Sequence, residues 1–86
     1  MSVVDRMNLK GKVAIVTGAG RGIGRGVAKA FAEAGSDLAL VSRTQEQVEE
    51  AAEEARELGV KAVAIAADVG NTDDIERIVS MTVQEL

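Results

Sequence analysis

One octapeptide restricts this 86-residue chain more than any other feature: Thr17-Gly18-Ala19-Gly20-Arg21-Gly22-Ile23-Gly24 places four glycines at alternate positions. Glycine has no Cβ, so the segment suits a tight turn or a backbone that something approaches closely. Before it runs Lys12-Val13-Ala14-Ile15-Val16-Thr17, an apolar run of strand length and rich in β-branched residues. Such runs suit strands buried on both faces, as in a parallel sheet. After it, Ile23, Val27, Ala30, Phe31 and Ala34 recur at helical spacing, and Gly35 follows as a C-terminal stop. A glycine turn between a strand and a helix points free N–H groups and a partial positive charge at one place, which is an anion site. On this reading Gly18 makes the turn and Gly22 lets the backbone approach a pyrophosphate. Gly24 lets the helix pack closely on the strand.

The strand-to-helix alternation recurs twice. Leu38-Ala39-Leu40-Val41 reads as a second buried strand. Thr44 then caps a helix, with Gln47 three residues on completing a capping box. That helix carries Val48, Ala51, Ala52, Ala55 and Leu58 on one stripe and stops at Gly59. Residues 61–67 form a third strand, and Asn71 or Thr72 caps a last helix with Ile75, Ile78, Val79, Val83 and Leu86 facing inward. The order β-α-β-α-β-α makes the sheet parallel, with right-handed crossovers. Glu46, Glu49, Glu50, Glu53, Glu54 and Glu57 fall on the outer side of the second helix and read as a solvated face. Glu46 and Arg56 suit the two ends of its dipole.

Composition removes whole classes of chemistry. With no Cys and no His, disulfides, thiol nucleophiles and the commonest metal ligand and general base are excluded. Tyr, Trp and Pro are also absent, and Phe31 is the single aromatic residue. A net charge of −4 argues against nucleic acid and anionic membrane as partners. Met1 to Lys12 hold only the short apolar pair Val3-Val4, too little for a secretory signal, so the expected location is the cytoplasm.

The spacing Thr-Gly-x-x-x-Gly-x-Gly, with Lys10-Gly11-Lys12-Val13-Ala14-Ile15-Val16-Thr17-Gly18 leading into it, resembles the short-chain dehydrogenase/reductase family. The likeness runs from about Leu9 onward, which leaves 1–8 as a leader and 1–86 as a single partial domain. It implies an α/β, Rossmann-type parallel sheet of strand order 3-2-1, one half of a doubly wound fold. The first two helices should share one face and the third should lie on the other, with the first strand left as an open apolar edge. Asp68-Val69 matches the family's pair behind the third strand, where the Asp meets the adenine amino group and the next residue lines its pocket. Ile23 falls within the cofactor-binding turn.

The end of the second strand bears on which dinucleotide is held. An NAD site wants a carboxylate there for the ribose 2′-hydroxyl. This chain has Ser42-Arg43-Thr44 instead, and Asp37 stands at the strand's other end. A guanidinium can bond a 2′-phosphate through two N–H groups. Arg21 matches the basic residue of NADP-preferring members, so the expected cofactor is NADP(H). The family's hydride transfer to or from a carbonyl or alcohol uses a Tyr, a Lys and a Ser beyond the fourth strand. No Tyr occurs here, and Ser36, Ser42 and Ser80 match none of those positions. The chain is therefore expected to lack catalysis by itself and to be the cofactor-binding part of a longer, oligomeric enzyme. The alternatives are a non-catalytic nucleotide-binding module and a self-associating half-domain.

Overall fold

The computed structural model describes residues 9–86. The expected leader, 1–8, lies outside the described residues. Six elements alternate: β1 (Val13–Thr17), α1 (Gly22–Glu33), β2 (Asp37–Ser42), α2 (Gln45–Glu57), β3 (Ala62–Ala66) and α3 (Thr72–Glu85). The strands pair in parallel in the order β1-β2-β3, which is the expected 3-2-1 sheet. Thr17 stands beside Val41, and Ser42 beside Ala66, so the three strands end close to one level. The loops that follow them open on one side of the sheet.

Alternate residues of a strand point to opposite faces, and β2 uses both of them. Leu38 and Leu40 are fully buried with Val16 and Ala62 against Ala28 and Ala32 of α1 and Val48, Ala51, Ala52 and Ala55 of α2. Ala39 and Val41 pack on the reverse face with Ile65, Ala67 and Ile78 of α3. The helix assignment to faces is thus as expected. Small residues dominate where α1 and α2 meet the sheet, which lets the layers approach closely.

Three expectations about burial are corrected. β1 is not buried on both faces: Val16 is covered, whereas Val13 and Ile15 are 46% and 45% exposed. Among the described residues β1 has a strand neighbour on one side only, and α3 packs on β2 and β3. On α1, Ile23 is 88% exposed and Val27 also lies open, because the helix turns Ala28 and Ala32 inward. On α3, Ile78 and Thr82 are the buried pair, and Ile75, Val79 and Val83 face outward. The apolar sector of α3 is wider than the two strands beneath it. On α2 the stripe holds from Val48 to Ala55, and Leu58 lies partly open at the helix end.

The helix stops are as read, at Gly35 and Gly59. Asn71 caps α3, its side-chain oxygen accepting from the N–H groups of Asp73 at 2.9 Å and Asp74 at 3.2 Å. The expected capping box of α2 does not form. Thr44 is the N-cap but makes no side-chain cap bond, and its own N–H donates to Ser42 Oγ at 3.2 Å. Gln47, the other half of the expected box, has its side chain against Gly20.

Candidate functional site

Beyond the C-terminal ends of the strands lies a cleft of about 500 Å³, built from three chain segments. Gly18, Gly20 and Arg21 come from the turn after β1; Ser42 ends β2, Arg43 and Thr44 follow it, and Gln47 lies in the first turn of α2; Ala67 and Val69 follow β3. The edge where strands of an open α/β sheet deliver their loops is where such folds bind ligands. Two backbone bonds hold the loops to the sheet. The Ala19 N–H donates to the Val41 carbonyl at 3.0 Å, and the Ala67 N–H to the Ser42 carbonyl at 2.9 Å.

The glycines act for different reasons. Gly18 and Gly22 have φ of +65° and +62°, a left-handed conformation that a side chain disfavours. Gly24 has no room for a side chain, since a Cβ there would overlap the Gly18 carbonyl oxygen and lie 2.7 Å from its carbon. The first turn of α1 therefore sits directly on the turn that leaves β1. Gly20, which the sequence reading left without a role, is equally confined: a Cβ would stand 2.7 Å from Ser42 Oγ and 2.9 Å from Gln47 Cβ. The N-terminus of α1 has no side-chain cap and no acidic residue in its first turn. Its orphan N–H groups are available to an anion, in contrast to those of α3, which Asn71 engages.

Of the residues singled out by sequence, Gly18, Arg21, Ser42, Arg43 and Val69 line the cleft. Gly22 and Gly24 shape it from the turn behind. Ile23 is exposed and is not among the residues that line it. Asp68 stands at its margin, where its carboxylate accepts from the Gly70 N–H at 2.8 Å and pairs with Arg43 at 3.6 Å. Both partners are half-exposed or more, so this pair holds little energy and leaves Arg43 free to turn to a ligand. Asp37 is far from the cleft, at the start of β2, where it accepts from the Lys61 N–H at 2.9 Å.

Sequence reasoning missed Thr44, Gln47 and Arg25. Gln47 has the spacing of a local cap, and no local signal points to Arg25. Its guanidinium reaches across to α2, with Nε 2.7 Å from Glu54 and Nη1 3.3 Å from Glu50. Two members of the acidic face are thus partnered across to α1, and Glu49 and Glu53 have partners within α2, Gln45 and Arg56. The hydrogen bond from Arg25, with its positive charge, holds the Glu54 carboxyl below the ordinary glutamate range, although partial burial opposes this. A depressed carboxylate stabilises the fold above its unfolded pKa and stops doing so as pH falls through the folded value. Glu54→Gln should therefore flatten the loss of stability on acidification below about pH 4, by less than about 1 kcal/mol for so exposed a pair. Thermal melts of both proteins between neutral and acidic pH check this.

Among the described residues there is no cluster of His, Cys, Asp or Glu able to hold a metal, and no helix long and apolar enough to cross a membrane. The family model of the short chain dehydrogenases matches residues 12–86. The 11-beta-hydroxysteroid dehydrogenase 1A of Arabidopsis thaliana is 46% identical over 83 residues, covering 95% of this chain and 24% of that protein. L-sorbose reductase from Gluconobacter frateurii, solved with NADPH and L-sorbose, superposes with a TM-score of 0.88 at 33% identity, over 93% of this chain and 31% of that one. The 3-ketoacyl-(acyl-carrier-protein) reductase from Brucella melitensis, solved with NADH, gives a TM-score of 0.81 at 39% identity, over 90% and 30%. The chain thus spans about a quarter of the curated relative's length and about a third of each solved structure. With the glycine turn, the parallel sheet and the cleft at its C-terminal edge, these matches show that the chain belongs to the short-chain dehydrogenase/reductase family.

Proposed function

We propose that this chain is the NADP(H)-binding part of an oxidoreductase that interconverts a carbonyl and an alcohol. The observation that carries the reading is the electrostatic character of the cleft where β2 ends. Arg21 and Arg43 line it together with Ser42, and no carboxylate stands among its lining residues. A ribose 2′-phosphate would meet guanidinium groups and a hydroxyl there, whereas an NAD site asks for an acidic residue. The residues present fit a dinucleotide: two left-handed glycines, two positions where a Cβ would fill the space, and an uncapped helix N-terminus.

In this reading the turn from Gly18 to Gly22 binds the diphosphate through backbone N–H groups. Arg43 and Arg21 bind the 2′-phosphate, and Ser42 supports it. Asp68 accepts from the adenine amino group, and Val69 covers the ring. The bound nicotinamide supplies or accepts the hydride. The 86 residues contain no Tyr to act as the family's acid, so the proton chemistry is assigned to residues outside this sequence. The self-association expected from the sequence has its support in β1, whose apolar Val13 and Ile15 lie half open at the sheet edge.

Calorimetric titration with NADPH and NADH tests the reading. Arg43→Ala should weaken NADPH about tenfold or more, on the scale of one charge-assisted hydrogen bond, and NADH much less. Equal losses for the two would overturn the 2′-phosphate assignment.

A further inference from the structure

We propose that Arg25 is a positioning residue for the cleft: it fixes the Gly20–Arg21 peptide in the orientation a diphosphate needs, by fastening that turn to Glu50 and Glu54 of α2. The inference rests on the dinucleotide reading above. Arg25 lies in the first turn of α1, and its Nη1 donates to the Gly20 carbonyl oxygen at 3.4 Å. The same guanidinium donates to Glu54 at 2.7 Å and to Glu50 at 3.3 Å. One planar fork thus joins three groups from two chain segments through N–H directions fixed by the guanidinium plane, which a lysine's freely rotating ammonium does not hold.

The consequence for the cleft follows from peptide geometry. In a trans peptide the C=O and the next N–H point to opposite sides. Holding the Gly20 carbonyl toward Arg25 therefore turns the Arg21 N–H the other way, in a segment that lines the cleft. Gly20 has no side chain to hold this plane, and the room around its Cα is taken by Ser42 and Gln47. Were the plane to rotate, a carbonyl oxygen would replace an N–H and oppose a phosphate.

The test compares two probes on the protein as the cell makes it. ADP-ribose spans the N–H groups of the diphosphate turn, whereas adenosine 2′-monophosphate reaches the Arg43 and Arg21 side chains and not those N–H groups. Arg25→Ala should weaken ADP-ribose about tenfold, the scale of a hydrogen bond to a charged group, and shift adenosine 2′-monophosphate less than about twofold. Arg25→Lys should recover part of the loss. Glu50→Ala with Glu54→Ala keeps Arg25 and removes both of its acceptors on α2, so it should show the same selective loss if the Arg25→Ala variant fails to fold. Equal weakening of both probes, or of neither, overturns the proposal. An unaltered protein that fails to bind both probes overturns the NADP(H) reading itself, and this inference falls with it.

Discussion

Gly24→Ala is expected to lower stability by about 3 kcal/mol or more and to abolish dinucleotide binding. Overpacking usually costs roughly 1–3 kcal/mol. Here the obstacle is backbone, the Gly18 carbonyl, which has no rotamer to yield. Relief would push the first turn of α1 away from the turn after β1 and so distort the anion site. In a domain of this length the loss is a fall of roughly 10–20 °C in the melting temperature, read by scanning calorimetry. Gly26→Ala is the matched control. Gly26 lies in the same helix with nothing within 4 Å of its added Cβ, and an alanine there should raise stability by about 0.5–1 kcal/mol. Equal melting temperatures for the two variants would refute the close approach at position 24.

Leu40→Ala should have an effect of similar size by the opposite route. Leu40 is fully buried on the central strand, facing α1 and α2. Truncation removes the transfer energy of its lost methyl groups and leaves a hole that β2, paired on both sides, cannot close. Losses of about 2–5 kcal/mol are usual at such sites. Whole domains are stable by only about 5 to 15 kcal/mol, so a loss of this size is a large fraction of what holds such a core. Leu58→Ala, at a partly open position on the end of α2, should change stability by well under half as much. Urea unfolding of the two variants side by side decides it. Similar midpoints would show that the core is not centred on β2.

Much of this architecture is written locally. The change from continuous apolar runs to helical spacing marked all six elements, and Asn71, Gly35 and Gly59 end or begin helices where their chemistry says they should. The cleft's outline was legible for the same reason, since Gly18, Ser42, Arg43 and Val69 follow directly from strand ends. What escaped is decided between elements. Thr44 and Gln47 have the spacing of a capping box, yet Gln47 is drawn to a glycine 27 positions earlier in the sequence. Arg25 looks like any exposed helical arginine until α2 comes beside α1 and presents Glu50 and Glu54. Ile23, Val27, Val79 and Val83 keep helical periodicity, but periodicity reports that a helix has an apolar side and not how much of it a three-stranded sheet can cover.

The splices from Ala19 to Val41 and from Ser42 to Ala67 give the loops around the cleft the stiffness of the β-ladder. Side chains at Ser42, Arg43 and Thr44 then project from a backbone whose course owes little to their identity. Over evolutionary time such a frame permits retuning: a few exchanges at one strand end could switch which dinucleotide is preferred, while the scaffold that delivers those residues goes on unchanged.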